Sequence, residues 1–183
     1  MMPWILGPLL LAVHGSANAA ALSFGVPLPK LKGTFLNGKT AVLPDAASGR
    51  VALLLVGFTY DSRFAVEAWA GQFRRRFEAE PRVTFYEIPM VGGLATLGKW
   101  FIDSGMRRGT PKEDYEHVIT VYGGTASWKQ RLGYGDPKAA YVILLDGAGK
   151  VAWRYAGGFD EQAFQSLSSE VAALLRNPIL PSR

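Results

Sequence analysis

The run Val51 to Val56 is apolar without a break, Gly57 to Arg63 is a short turn rich in polar side chains, and from Ser62 onward apolar residues recur at helical spacing. A continuous apolar run of strand length between turn signals is the pattern of a strand buried on both faces. A buried strand feeding directly into a helix is the first half of a βαβ unit, so the pattern predicts an α/β fold. In such folds sites gather at the carboxyl ends of the strands. Gly57 to Arg63 is therefore the first place to look for chemistry.

The remaining elements follow from the same reading. The helix after the first strand spans about Ser62 to Ala79, with Asp61 or Ser62 as cap and Pro81 just beyond its end. Ala65, Trp69, Phe73 and Phe77 build its apolar face, and Phe64 and Ala68 widen it. Val83 to Pro89 is a second strand, which would complete a right-handed crossover. Met90 to Gly93 reads as a loop, and Leu94 to Arg108 as a second helix with Leu94, Leu97, Phe101 and Met106 on one face. The segment Glu113 to Tyr122 is ambiguous: Val118–Tyr122 has strand character, while Pro111–Asp114 looks like a helix start. Thr125 to Leu132 is a short helix. Ala139 to Asp146 is the second very apolar strand, and the Asp146–Lys150 turn joins it to Val151–Tyr155 as a hairpin. Asp160 caps a last helix to about Leu175, with Phe164, Leu167, Val171, Leu174 and Leu175 facing inward. Ahead of the central strand, Asn37-Gly38 marks another hairpin. The tail from Asn177 holds two prolines and is expected to fray.

Composition changes this picture in three places. The first segment has an apolar core, Trp4 to Val13, followed by Ala17-Asn18-Ala19, an A-x-A processing pattern. Residues 1–19 read as a secretory signal peptide and residues 20–183 as one domain. The expected location is outside the cytoplasm, in the periplasm or an equivalent compartment. The net charge of +5 is compatible with an anionic partner. However, Arg74-Arg75-Arg76 and Arg107-Arg108 are its only dense clusters, and no aromatic-and-basic motif points to nucleic acid. Finally, there is no cysteine at all, which removes disulfides, zinc–thiolate sites and thiol chemistry.

The order of elements resembles the thioredoxin-like fold in its redoxin form: a leading hairpin, βαβ, an insertion, then a β-hairpin and a helix. The strand–turn–helix Val51–Phe77 carries the resemblance, with Val142-Ile-Leu-Leu-Asp-Gly-Ala-Gly-Lys-Val-Ala-Trp-Arg-Tyr-Ala-Gly-Gly. Within that fold the chain is similar to the thioredoxin-like ATP synthase assembly factors known from mitochondria, a family with bacterial members. Trp69, Phe73, Tyr86-Glu87-Ile88-Pro89, Gly105-Met106-Arg107-Arg108-Gly109 and Leu132-Gly133-Tyr134 support this similarity. It implies a central mixed sheet flanked by helices, with an insertion before the final hairpin, and a chaperone-like assembly role with a protein client. The client would include a membrane protein, with peripheral membrane contact. The leader here is secretory in type, so the family's client does not carry over.

Thiol chemistry in this fold needs a cysteine at the helix start. The equivalent turn here is Thr59, Tyr60, Asp61 and Ser62, with no cysteine. The fold also usually carries a cis-proline just before the final hairpin strand. That place falls at about Ala140, and Pro137 comes three residues too early. No thiol oxidoreductase or peroxidase activity is expected. A hydroxyl nucleophile would need a neighbouring base. The one histidine after the leader is His117, in a distant segment, so Ser62 reads as a cap. Glu113, Asp114, Glu116 and His117 crowd one segment, but two ligands on one helix face do not make a metal site. No metal or cofactor is expected. A binding surface remains, with Trp100, Arg107, Arg108, Tyr115, Trp128 and Tyr134 in the insertion between Met90 and Pro137 as its candidates. Aromatics and arginine are the side chains that anchor interfaces. The alternative is a small-ligand binder or hydrolytic enzyme using a pocket at the carboxyl end of the sheet, with Tyr60, Asp61, Arg63 and His117.

Overall fold

A computed structural model describes residues 20–93 and 98–176, except for the side chains of Lys99 and Phe101. The leader, Leu94, Leu97, the Phe101 side chain and the tail from Asn177 lie outside the described residues. Seven strands form one mixed sheet. In chain order they are β1 (Leu31–Phe35), β2 (Thr40–Leu43), β3 (Val51–Gly57), β4 (Val83–Val91), β5 (Ile119–Tyr122), β6 (Ala140–Leu145) and β7 (Val151–Gly157). The helices are α1 (Arg63–Phe77), α2 (Lys99–Gly109), α3 (Thr125–Leu132) and α4 (Glu161–Arg176). Spatially the strands run β2-β1-β5-β4-β3-β6-β7. The β3–β4 and β4–β5 pairs are parallel, and the other pairs are antiparallel.

β3 is central because all seven of its residues are buried. Strand alternation sends its side chains to two separate cores. Leu53 and Leu55 meet α1 and α4 through Val66, Trp69, Phe73 and Leu167. Leu54 and Val56 meet the other layer, which includes Trp128 and Leu132 of α3. Trp69 anchors α1: its indole nitrogen donates to the Gly158 carbonyl (3.1 Å), and Tyr155, Phe159 and Phe164 surround its ring. Asp160 caps α4 as expected, its carboxylate accepting the Ala163 amide (2.7 Å).

Several expectations need correction. Phe64 and Ala68 do not widen the buried face of α1. Both are exposed, and Val66 and Ala70 take that part. Met90 and Val91 belong to β4, because their pairing with Val121 and Tyr122 extends the strand past Pro89. The ambiguous segment resolves into a 3-10 turn at Lys112–Asp114 followed by β5. The insertion is built into the sheet. Its strand β5 joins the main sheet, and β1 adds on through β5, with Phe35 opposite Ile119. Ala140 opens β6, and among the described residues the one cis peptide bond is Leu43–Pro44. No described helix is long and apolar enough to cross a membrane.

Candidate functional site

The turn between β3 and α1 is held by two hydroxyls. The Ser62 amide donates to the Thr59 hydroxyl (3.1 Å), which itself donates to the Pro137 carbonyl. The Thr59 amide donates to the Ser62 hydroxyl (3.3 Å), which donates back to the Thr59 carbonyl (2.8 Å). Each hydroxyl proton is thus committed to a carbonyl oxygen, and Ser62 is only 1% exposed. Ser62 occupies the N-cap position of α1 but makes no side-chain bond into the helix, so it ties the turn backward instead of capping forward. The packing admits no side chain at Gly57, whose added Cβ would lie 2.6 Å from the Ser62 hydroxyl. Where this fold would place a reactive thiol, the chain has a closed, proton-committed turn.

α2 lies on the same sheet face as α1. In β5, Ile119 and Val121 point to the opposite core, so Thr120 and Tyr122 face α2. The Tyr122 hydroxyl donates to Asp103 (2.6 Å), and the Thr120 hydroxyl to the Met106 sulfur (3.8 Å). Burial of the phenol, with the bond to Asp103, pushes the Tyr122 hydroxyl well above its usual range. Arg107 donates through Nε to the Leu36 carbonyl (2.8 Å), and the Tyr115 hydroxyl donates to the Arg107 carbonyl (2.9 Å). These bonds fasten α2 to β5 and to the first hairpin.

Between α1 and α2 lies a cleft of about 580 Å3 at the carboxyl ends of β3 and β4. This volume is in the range of ligand pockets. Ile102, Gly105, Met106 and Gly109, one stripe of α2, form one wall, and Val66 lines the α1 side. Pro89, Val118 and Glu87 are among the other lining residues. Glu87 shares the α1 face of β4 with Phe85 and Pro89. Burial, with Glu67 and Asp114 nearby, lifts its carboxyl from the ordinary range to about 7, although Arg74 opposes the shift. At the mouth, Tyr60 is 72% exposed, and the Arg63 guanidinium lies 4.2 Å from its ring centre and 4.6 Å from that of Phe64, which is 58% exposed outside the cleft lining.

The residues expected in the binding surface do not gather into one patch. Trp100 (78% exposed) and Arg108 are open to solvent on α2. Arg107 and Tyr115 are half-buried and spend their polar groups on fastening α2, Arg107 to the Leu36 carbonyl and Tyr115 to the Arg107 carbonyl. Trp128 is a correction: it lies inside the core with Leu132, because the short helix α3 turns both inward. Tyr134 packs on Phe58 (5.2 Å, edge-on) and Tyr141. The alternative cluster also divides. Tyr60 and Arg63 line the cleft, Asp61 is exposed, and His117 lines a second cavity. There its ring stacks on Phe85 at 4.5 Å and Nδ1 donates to the Phe85 carbonyl. Among the described residues no three acidic or imidazole side chains could hold a metal ion.

Sequence reasoning used Glu87 only as part of a resemblance. A charged residue in a strand flanked on both sides by parallel neighbours was the available signal, since such strands are covered on both faces.

No family model matches the chain, and no curated protein matches it in sequence. Solved structures match its fold. A candidate thiol:disulfide interchange protein, DsbE, from Chlorobium tepidum aligns with TM-score 0.57 at 18% identity, over 85% of this chain and 99% of its own. The exposed lipoprotein thioredoxin of Streptococcus pneumoniae aligns with TM-score 0.52 at 16% identity, over 77% and 99%. A thiol peroxidase from Chromobacterium violaceum aligns with TM-score 0.52 at 17% identity, over 83% and 89%. The chain is a thioredoxin-like protein in fold. It is a cysteine-free version of that fold.

Proposed function

We propose that this protein is a binding domain that uses the α1–α2 cleft to hold an extended segment of a protein client. The observation that carries this reading is the contrast within the site. The turn at Thr59–Ser62 has both hydroxyl protons committed to carbonyls, and beside it an apolar-walled cleft stands open with exposed aromatics at its mouth. Nothing there is poised to attack a substrate, and much of it is suited to contact. The hydrolytic alternative loses support because His117 lies in a different cavity from Ser62. The leader-like segment 1–19 supports export, and similarity to the assembly factors supports a membrane-protein client held while its complex forms.

The test is photocrosslinking from position 60 in envelope membranes, beside a Gly105→Phe variant that fills the cleft. An added Cβ at Gly105 meets nothing within 4 Å, so a side chain can start there without a backbone clash, and circular dichroism of the variant checks that the fold is kept. We expect one dominant adduct, reduced about tenfold by the filled cleft. An adduct that persists in Gly105→Phe overturns the reading. Crosslinks obtained only from Trp100 or Arg108 would move the surface to the outer side of α2.

A further inference from the structure

We propose that Glu87 is the receptor for one positive charge carried by the cleft's occupant, so that the client segment presents a lysine or arginine side chain inward along the apolar walls. This inference rests on the cleft being the binding site.

Charge is unevenly matched around Glu87. Its backbone is fixed, because its amide donates to the His117 carbonyl (2.8 Å). Its carboxylate lines the cleft, and no described residue donates a hydrogen bond to it. The nearby cation on α1 is Arg74, and Asp114 already holds it through two contacts of 2.8 and 3.1 Å. Arg63 also lines the cleft, but its guanidinium lies over the rings of Tyr60 and Phe64 at the mouth. From the segment before β5, His117 spends Nδ1 on the Phe85 carbonyl. The described cleft-lining residues of α2, Ile102, Gly105, Met106 and Gly109, carry no charge. Glu67 adds a further negative charge, whereas Asp114 is balanced by Arg74. Among the described residues the pocket is therefore one cation short.

A half-buried carboxylate without a counter-ion is costly, and an incoming ammonium or guanidinium removes that cost. The long methylene stem of lysine or arginine suits the remaining walls, because such side chains bury their stems while the charged end finds a polar partner. The carboxyl titrating at about 7 makes recognition pH-dependent. Only the ionised form attracts a cation, so affinity falls as the pH drops below 7 and protons occupy the site.

The test uses two small probes, hexylammonium and hexanol, titrated into the purified protein at constant ionic strength and followed by NMR of the cleft amides and the Glu87 carboxyl carbon. At about pH 8 we expect hexylammonium to bind about fivefold more tightly than hexanol, and this advantage to vanish at about pH 5.5. Glu87→Gln should abolish the advantage at both pH values while leaving hexanol binding and the amide spectrum intact. Gly105→Phe should remove both probes. Equal binding of the two probes at about pH 8 would overturn the charge inference while leaving the cleft reading standing. Ammonium binding that survives Gly105→Phe would place it outside the cleft, and binding of neither probe would also overturn the inference. In that last case the crosslinking experiment decides the cleft reading separately.

Discussion

Two cavities lie along the seam between α1 and β4, and they treat charge differently. The second, about 430 Å3, sits at the start of β4 beneath Phe73, Phe77 and Phe85. Its acid Asp114 is paired with Arg74, and its histidine is stacked and hydrogen-bonded. The first sits at the other end of the same strand, and its acid Glu87 has no such partner among the described residues. In one cavity the half-buried acid is paired, and the remaining acids, Glu78 and Glu113, are exposed to solvent. The other keeps an unmet charge in a roomier, more apolar setting. Volume alone would not separate them; the state of their charged groups does.

Three substitutions break or sharpen this contrast. The largest effect is expected from Phe85→Ala. It removes the ring under both His117 and Arg74 and should cost about 3–5 kcal/mol in urea unfolding. A loss below about 1 kcal/mol would mean that the second cavity is not a packed structural element. Glu87→Gln comes next, and its sign depends on pH. The folded protein holds the Glu87 proton up to about 7, whereas an ordinary glutamate releases it at about 4.5. Stability from this group is therefore fully present below about 4.5 and is lost as pH rises through 7. The glutamine variant should match the parent at about pH 4 and exceed it at about pH 8 by roughly 2–3 kcal/mol. A parent whose unfolding midpoint is flat across that window would refute the assignment. The smallest effect belongs to Gly105→Phe, where added helix propensity and a ring set into an already open cleft leave stability within about 0.5 kcal/mol of the parent. A large loss there would mean that the cleft closes in solution.

Much of the fold was legible because its signals are local. The unbroken run Val51–Val56, the Asn37-Gly38 turn and the Asp146–Lys150 turn each point to one outcome. The face of α1 was only half legible. Ala65, Trp69 and Phe73 mark the centre of its stripe, but whether Phe64 or Val66 flanks it depends on where the sheet lies. The site was the least legible part. Arg107 and Tyr115 resemble interface anchors in sequence, yet their polar groups fasten α2 to its neighbours. Glu87 became interesting only once α2 stood beside it and Asp114 had taken the nearby arginine. Both facts are tertiary and leave no periodic trace.

The route by which the first hairpin joins the sheet has a kinetic side. β1 meets the main sheet only through β5, with Phe35 opposite Ile119, a partner roughly eighty residues further along the chain. Closing so long a loop is entropically slow, and the docking edge does not exist until β5 has settled beside β4. The hairpin's own turn is thus a local contact, whereas its seat in the sheet is a distant one. Because Arg107 bonds to the Leu36 carbonyl, that distant contact also ties the position of α2 and the cleft it borders to the first hairpin.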